Sequence, residues 1–178
     1  MPWKNKILSF IDSLTNSIAT DISLRLMIPT NVFKRTELIC EYITDELDIN
    51  FGIEDFLMVL YLEYIKKSII TYDPQKIYRD IGNSYGYTDK IIISCGNSEK
   101  YELDRLSCGR TDVEISMDKK DAKKGQLILD ELEELYGYKI SLDNMISTLW
   151  INFIEQYKRG DGAKSLKAIL KMLKNSLS

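Results

Sequence analysis

The sequence predicts a mainly α-helical protein with short β-segments: two strand-helix-helix repeats sharing one core, plus a central hairpin insertion and terminal helices. Three observations carry this. Leu24 to Ile65, slid by 89 residues without a gap, lies over Val113 to Ile154 with apolar positions matching at both ends. A stripe with amphipathic-helix spacing recurs in the same phase: Ile53, Phe56, Leu57, Leu60, Tyr61, Tyr64 and Ile65 over Leu142, Met145, Ile146, Leu149, Trp150, Phe153 and Ile154. Period-two alternation precedes the stripe in both copies, at Ser23 to Ile28 and at Asp112 to Met117. Few aligned residues are identical, so the repeat lies in pattern and spacing.

The elements follow in order. Trp3, Ile7, Leu8, Phe10, Ile11, Leu14 and Ile18 give residues 1–20 the apolar face of an N-terminal helix. Repeat 1, residues 22–68, opens with the strand Ser23 to Ile28, halted at Pro29 because proline has no N–H for a ladder. A helix is expected from Val32 to Leu47, with Leu38, Ile39 and Ile43 matching Leu127, Ile128 and Leu132. Asn50-Phe51-Gly52 makes the turn, and a second helix runs from Ile53 to Lys67. Residues 69–110 are too long for a bare connection. Asp73-Pro74 begins a short helix there, and a Gly-Asn turn at 95–98 divides two β-prone runs, Lys90 to Ser94 and Lys100 to Asp104, into a hairpin. Repeat 2, residues 111–158, has its strand at Asp112 to Met117 and a helix from Asp121 to Tyr136. Gly137 suits the cap of that helix, and Ser141 the N-cap of the next, which begins at Leu142. Gly160-Asp161-Gly162 breaks the chain before a C-terminal basic helix, residues 163–178, with Leu166, Ile169, Leu170 and Leu173 opposite its lysines.

The length of 178 residues sets a prior of about one domain, so residues 1–178 are expected to form a single compact unit. Histidine is absent, which excludes imidazole acid-base or ligand chemistry, and three cysteines cannot complete a four-thiolate zinc site. No cofactor or metal is expected. An odd cysteine count (Cys40, Cys95, Cys108) without an export signal suggests the reducing cytoplasm, where a Cys95–Cys108 bridge is not expected. The longest apolar run, Phe56 to Leu62, is seven residues, against the roughly 20 of a membrane span. Net charge is −3, so any polyanion must be met by local patches. Lys119, Lys120, Lys123 and Lys124 form one such patch; Lys164, Lys167, Lys171 and Lys174 form another.

A short strand, a helix, a tight turn and a second amphipathic helix, repeated once, resemble the ribbon-helix-helix (Arc/MetJ-like) family of DNA-binding proteins over about residues 24–67 and 112–158. The resemblance implies two ribbon-helix-helix-like repeats clasped as a tandem intramolecular pseudo-dimer, their strands paired into a ribbon that enters the major groove of double-stranded DNA. Carried onto this sequence, it assigns base contacts to the outward strand residues Ser23, Arg25, Met27, Glu114 and Ser116, with Asp112 on the same face. Arginine suits guanine, and a carboxylate accepts from cytosine but opposes phosphate. The resemblance also implies phosphate anchoring by amides at the start of each second helix, here Gly52-Ile53 and Ser141-Leu142.

Each assignment has a plainer counterpart. Arg25 also suits a solvated strand edge, and Lys119, Lys120 and Lys123 a solvated helix start balanced by Asp118 and Asp121. Lysine opposes the dipole at a helix start, which favours phosphate contact there. Trp150, Tyr61, Phe153 and Tyr64 lie on apolar stripes and belong to the core rather than a base-stacking platform. No phosphate loop, nucleophile elbow or metal constellation occurs, so the sequence suggests no enzyme. The expected function is sequence-specific DNA binding, as a transcriptional repressor or a plasmid or phage DNA maintenance factor. The alternative is an acidic helical protein-interaction module, an inhibitor or adaptor, without nucleic-acid binding. In either case the terminal helices are candidate contacts for a homo-oligomer or protein partner.

Overall fold

A computed structural model describes residues 20–82, 90–95, 99–104 and 109–177. The expected N-terminal helix, the hairpin turn at 96–98 and Cys108 lie outside the described residues. The molecule is mainly helical, with a small two-stranded antiparallel sheet made by β1 (Asp21–Pro29) and β4 (Arg110–Asp118). β1 leads into α1 (Thr30–Leu47), α2 (Ile53–Ile70) and α3 (Pro74–Ile81). The hairpin β2 (Lys90–Cys95) and β3 (Glu99–Asp104) follows as a separate sheet, antiparallel as its turn chemistry predicts. After β4 come α4 (Lys119–Tyr136), α5 (Leu142–Gln156), a π-type segment at Tyr157–Asp161 and α6 (Gly162–Leu177).

Element boundaries differ from the sequence expectation in one direction: the ordered pieces are longer. Both strands run to nine residues rather than six. The first helices begin at Thr30 and Lys119, directly where the strands stop, because each helix-starting N–H finds a carbonyl across the ribbon. Thr30 N–H donates to Gly109 O at 3.2 Å, and Lys119 N–H to Thr20 O at 3.0 Å. The first turn bends at Asp48, which adopts the left-handed conformation (φ 53°), and Phe51 is core rather than loop, 6% exposed. Gly137 closes α4 at φ 68°, as expected of a left-handed cap. Ser141 occupies the N-cap of α5, as expected, without a side-chain capping bond. Asp73 does cap α3, accepting from Lys76 N–H at 3.0 Å. Gly160 (φ 97°) supplies the break before α6, whose Ile169 is buried while Lys164, Lys167 and Lys171 are exposed.

Packing follows the stripes. Phe56, Leu57, Tyr61 and Ile65 of α2 and Met145, Ile146, Leu149, Trp150 and Ile154 of α5 are buried in one cluster with Leu26, Ile28, Ile115 and Met117 of the ribbon. Phe56 and Phe153 meet edge to face at 5.2 Å between centroids, which joins α2 to α5. Leu38 and Leu127, matched apolar positions of the two repeats, both face solvent, 56% and 50% exposed, because their neighbours Ile39 and Ile128 take the inward face of each helix.

Two buried aromatics make polar bonds across the fold. The Tyr61 hydroxyl donates to the Asp121 carbonyl at 2.7 Å and accepts from Gly125 N–H at 3.0 Å. Trp150 Nε1 donates to Thr36 Oγ1 at 2.7 Å, and Thr36 Oγ1 donates to Val32 O at 2.9 Å. From Tyr61 to Trp150, and from Thr36 to Gly125, is the same 89-residue offset that relates the sequence stripes. The small residue at each place makes room for the ring opposite. A Cβ at Gly125 would lie 2.3 Å from the Tyr61 hydroxyl and 2.9 Å from Leu142.

Helix propensity alone favours Gly125→Ala by about 1 kcal/mol. The steric constraint reverses the sign. Gly125→Ala is expected to lower stability by about 1–3 kcal/mol through overpacking, measured by urea denaturation, and a stabilised variant would refute this placement of Tyr61.

Candidate nucleic-acid interface

The ribbon positions the candidate residues. β1 and β4 pair over their whole length, with Arg25 opposite Glu114 at the centre and Asp21 opposite Asp118 at one end. Alternation sends Leu24, Leu26, Ile28, Val113, Ile115 and Met117 inward and leaves Ser23, Arg25, Met27, Asp112, Glu114 and Ser116 exposed together on the outer face. Among the described residues no other strand pairs with this ribbon, and the burial of the inner face holds its register, since a one-residue slip would expose every inward side chain.

The outer face has internal bonds that its sequence does not display. Arg25 Nε donates to Asp112 Oδ2 at 2.6 Å, and Nη2 bonds the same oxygen. Ser23 Oγ donates to Glu114 Oε1 at 2.5 Å. Both links run diagonally, because Arg25 stands opposite Glu114 and Met27 opposite Asp112. The hydrogen bond from Arg25, reinforced by its charge, holds the Asp112 carboxyl below the usual aspartate value, while Asp112 pushes the guanidinium up. Across the exposed ribbon positions, four carboxylates (Asp21, Asp112, Glu114, Asp118) outnumber two guanidiniums (Arg25, Arg110), leaving a face of −2.

The starts of the second helices differ from each other. At α2, Gly52 N–H donates to Asp55 Oδ2 at 2.8 Å, and Glu54 Oε1 accepts the ribbon N–H of Ser116 at 2.6 Å. The Asp55 carboxylate thus takes one of the N–H groups that the resemblance assigns to phosphate, and Glu54 fastens α2 to β4. At α5, Ser141 is half-buried without a side-chain cap, Asp143 stands in the first turn, and the Leu142 side chain is buried, as Ile53 is in part.

Lys119, Lys120 and Lys123 fall in the first two turns of α4, at the end of the ribbon. Lys120 is exposed, Lys119 and Lys123 half-buried, and Lys124 pairs with Asp121 at 2.6 Å. Asp118 caps the helix through Lys120 N–H. Lys34 and Arg35, both exposed on α1, occupy the positions 89 residues before Lys123 and Lys124. They extend the candidate set. The offset that aligns the stripes also points to them, although neither stands in a visible lysine cluster.

Elsewhere, Cys40 is buried and its thiol is pushed up to about 12, by burial first and then by Asp55, Glu37 and Glu41, so it is protonated at neutral pH. Among the described residues no helix is long and apolar enough to cross a membrane, and no cluster of three or more metal-binding side chains occurs. Comparison with protein-family models, curated proteins and solved structures finds no match.

The Arg25–Asp112 link has a direct titration test. Because the Asp112 value lies below its unfolded one, any stabilisation from the pair is present at neutral pH and lost as pH falls through the folded value. Carboxyl NMR should show Asp112 titrating below ordinary aspartates, and Arg25→Ala should return it upward. An Asp112 midpoint unmoved by that substitution would refute the pairing.

Proposed function

We propose that the chain is a sequence-specific double-stranded DNA-binding protein, in which two ribbon-helix-helix-like repeats share one core as an intramolecular pseudo-dimer. One observation carries this: the ribbon register is centred on Arg25 opposite Glu114, residues 89 apart, the offset that also relates the two sequence stripes. Pairing of equivalent positions at the centre of an antiparallel ribbon is what an approximate twofold axis requires. The other elements follow the same offset. From Asp21 to Arg110, Pro29 to Asp118, Thr30 to Lys119 and Leu47 to Tyr136 is 89 residues in each case.

A two-stranded ribbon with one free face fits a major groove about 12 Å wide. Arg25 at the centre is the residue for a guanine edge; Glu114 and Asp112, released from Ser23 and Arg25 on docking, are acceptors for cytosine amino groups. Lys34, Arg35, Lys119, Lys120 and Lys123 supply the phosphate contacts that offset the acidic ribbon. Since the two strands differ in sequence, the target is an asymmetric site rather than a perfect palindrome. Repression or plasmid or phage DNA maintenance is the role such a protein would fill.

The −2 ribbon face, with Glu54 and Asp55 at the start of α2, favours a second reading. In it the same face receives a basic protein segment, and the molecule is an acidic inhibitor or adaptor.

Binding to a random-sequence duplex library, followed by fluorescence anisotropy across a salt series, separates the two. DNA binding predicts affinity that falls linearly with salt on logarithmic axes. Arg25→Ala should reduce discrimination at one base pair by roughly 10-fold or more, whereas Lys119→Ala with Lys120→Ala should weaken all duplexes alike. No binding at low salt would overturn the proposal, and co-purification with a protein free of nucleic-acid absorbance would favour the second reading.

A further inference from the structure

The outward face of α1 carries a charge order that its own helix does not explain. Lys34 and Arg35 stand one turn inside its start, Leu38 and Tyr42 at its middle, and Asp45 and Glu46 in its last turn, all six exposed. At helical spacing they fall within a sector of about 120°. A helix dipole prefers acids at the start and bases at the end, and α2 follows that preference with Glu54 and Asp55 in its first turn and Lys67 in its last. On α1 the order is reversed. None of its four charges named above forms an ion pair among the described residues. Leu38 and Tyr42, neighbours at i and i+4, are 56% and 45% exposed.

The reversed order is self-complementary. When a second α1 is turned antiparallel about a twofold axis at the level of residue 40, Leu38 of each copy meets Tyr42 of the other, while Lys34 and Arg35 meet Asp45 and Glu46 at both ends. The pairing also sets the two helix dipoles in opposition. The matching face of α4, 89 residues on, lacks this property. Glu131 stands in place of Tyr42 and Leu135 in place of Glu46, and Lys124 and Glu131 are engaged by Asp121 and the Tyr72 hydroxyl.

We infer that the occupant of this face is a second copy of the chain, docked through α1 in an antiparallel pair with the same patch on both sides. One helix pair buries less than the roughly 1,200 Å² of a stable interface, so the dimer forms at high micromolar concentration and dissociates on dilution. The inference does not rest on the DNA reading. A partner helix and phosphate would compete for Lys34 and Arg35, so the test uses protein free of nucleic acid.

Analytical ultracentrifugation of the full chain from micromolar to millimolar concentration should show a reversible monomer–dimer equilibrium. Leu38→Glu should weaken it by about 10-fold or more. Two charge variants give the sharper comparison: Lys34→Glu with Arg35→Glu, and Asp45→Lys with Glu46→Lys. Each alone sets like charges together at both ends and should stay monomeric, whereas an equimolar mixture should recover the dimer, because every like pair becomes an opposite one. All the substituted side chains are exposed, so each variant should keep the far-UV circular dichroism of the parent chain. A parent chain that stays monomeric at millimolar concentration overturns the inference. So does a dimer indifferent to Leu38→Glu, a charge variant that dimerises like the parent, or a mixture that stays monomeric. Association through another face, or cover of α1 by another segment of the chain, would give one of these results.

Discussion

Two buried aromatic side chains, each hydrogen-bonded to a helix far away in the chain, are the constraint on which the rest of the molecule depends. Tyr61 reaches Gly125, 64 residues on, and Trp150 reaches Thr36, 114 residues back. Both rings are almost fully buried, so each carries a polar atom into a region where an unpaired donor or acceptor is costly. The bonds therefore fix where α2 stands against α4 and α5 against α1. A closer approach would drive Tyr61 into Gly125 and Leu142, and a wider one would leave the hydroxyl and indole N–H without partners. Burial pushes the Tyr61 phenol up to about 12, further above neutral pH than an ordinary tyrosine.

The ribbon inherits its position from this arrangement. Its inner face is bound into the same core, its ends are closed by Thr30 N–H to Gly109 O and Lys119 N–H to Thr20 O, and one side is fastened by Glu54 to Ser116 N–H. Among the described residues its outer face is left exposed. Its two central carboxylates, Asp112 and Glu114, are held by Arg25 and Ser23, so an acidic surface is compatible with an ordered ribbon. For the proposed DNA complex this makes binding an exchange: internal bonds at Asp112 and Glu114 give way to base contacts, and flanking cations supply the attraction to phosphate. Such an exchange favours selectivity over raw affinity, because a wrong base leaves a carboxylate without a partner.

Much of the fold is legible in the residues. Period-two alternation at Ser23 to Ile28 and Asp112 to Met117 identifies the exposed side chains of the ribbon, and the stripes over α2 and α5 identify the buried ones, because those periodicities are the geometry of strand and helix themselves. The hairpin follows from its turn, and the kink before α6 from Gly160. Leu38 and Leu127 show the limit of such patterns. Both match as apolar positions of the repeat, yet neighbouring packing leaves them in water, as much of any protein surface is apolar.

What the sequence by itself determined is the type and order of the described elements and the inward face of the ribbon, α2 and α5, together with the 89-residue offset, because these are properties of local spacing. What only the tertiary structure decided is which charges and hydroxyls meet: Arg25 with Asp112, Ser23 with Glu114, and Glu54 with Ser116 N–H. Those encounters depend on register and interhelical distance between residues far apart in the chain. A hydrogen bond is made or lost within less than an ångström, and no periodicity in a linear sequence carries that information.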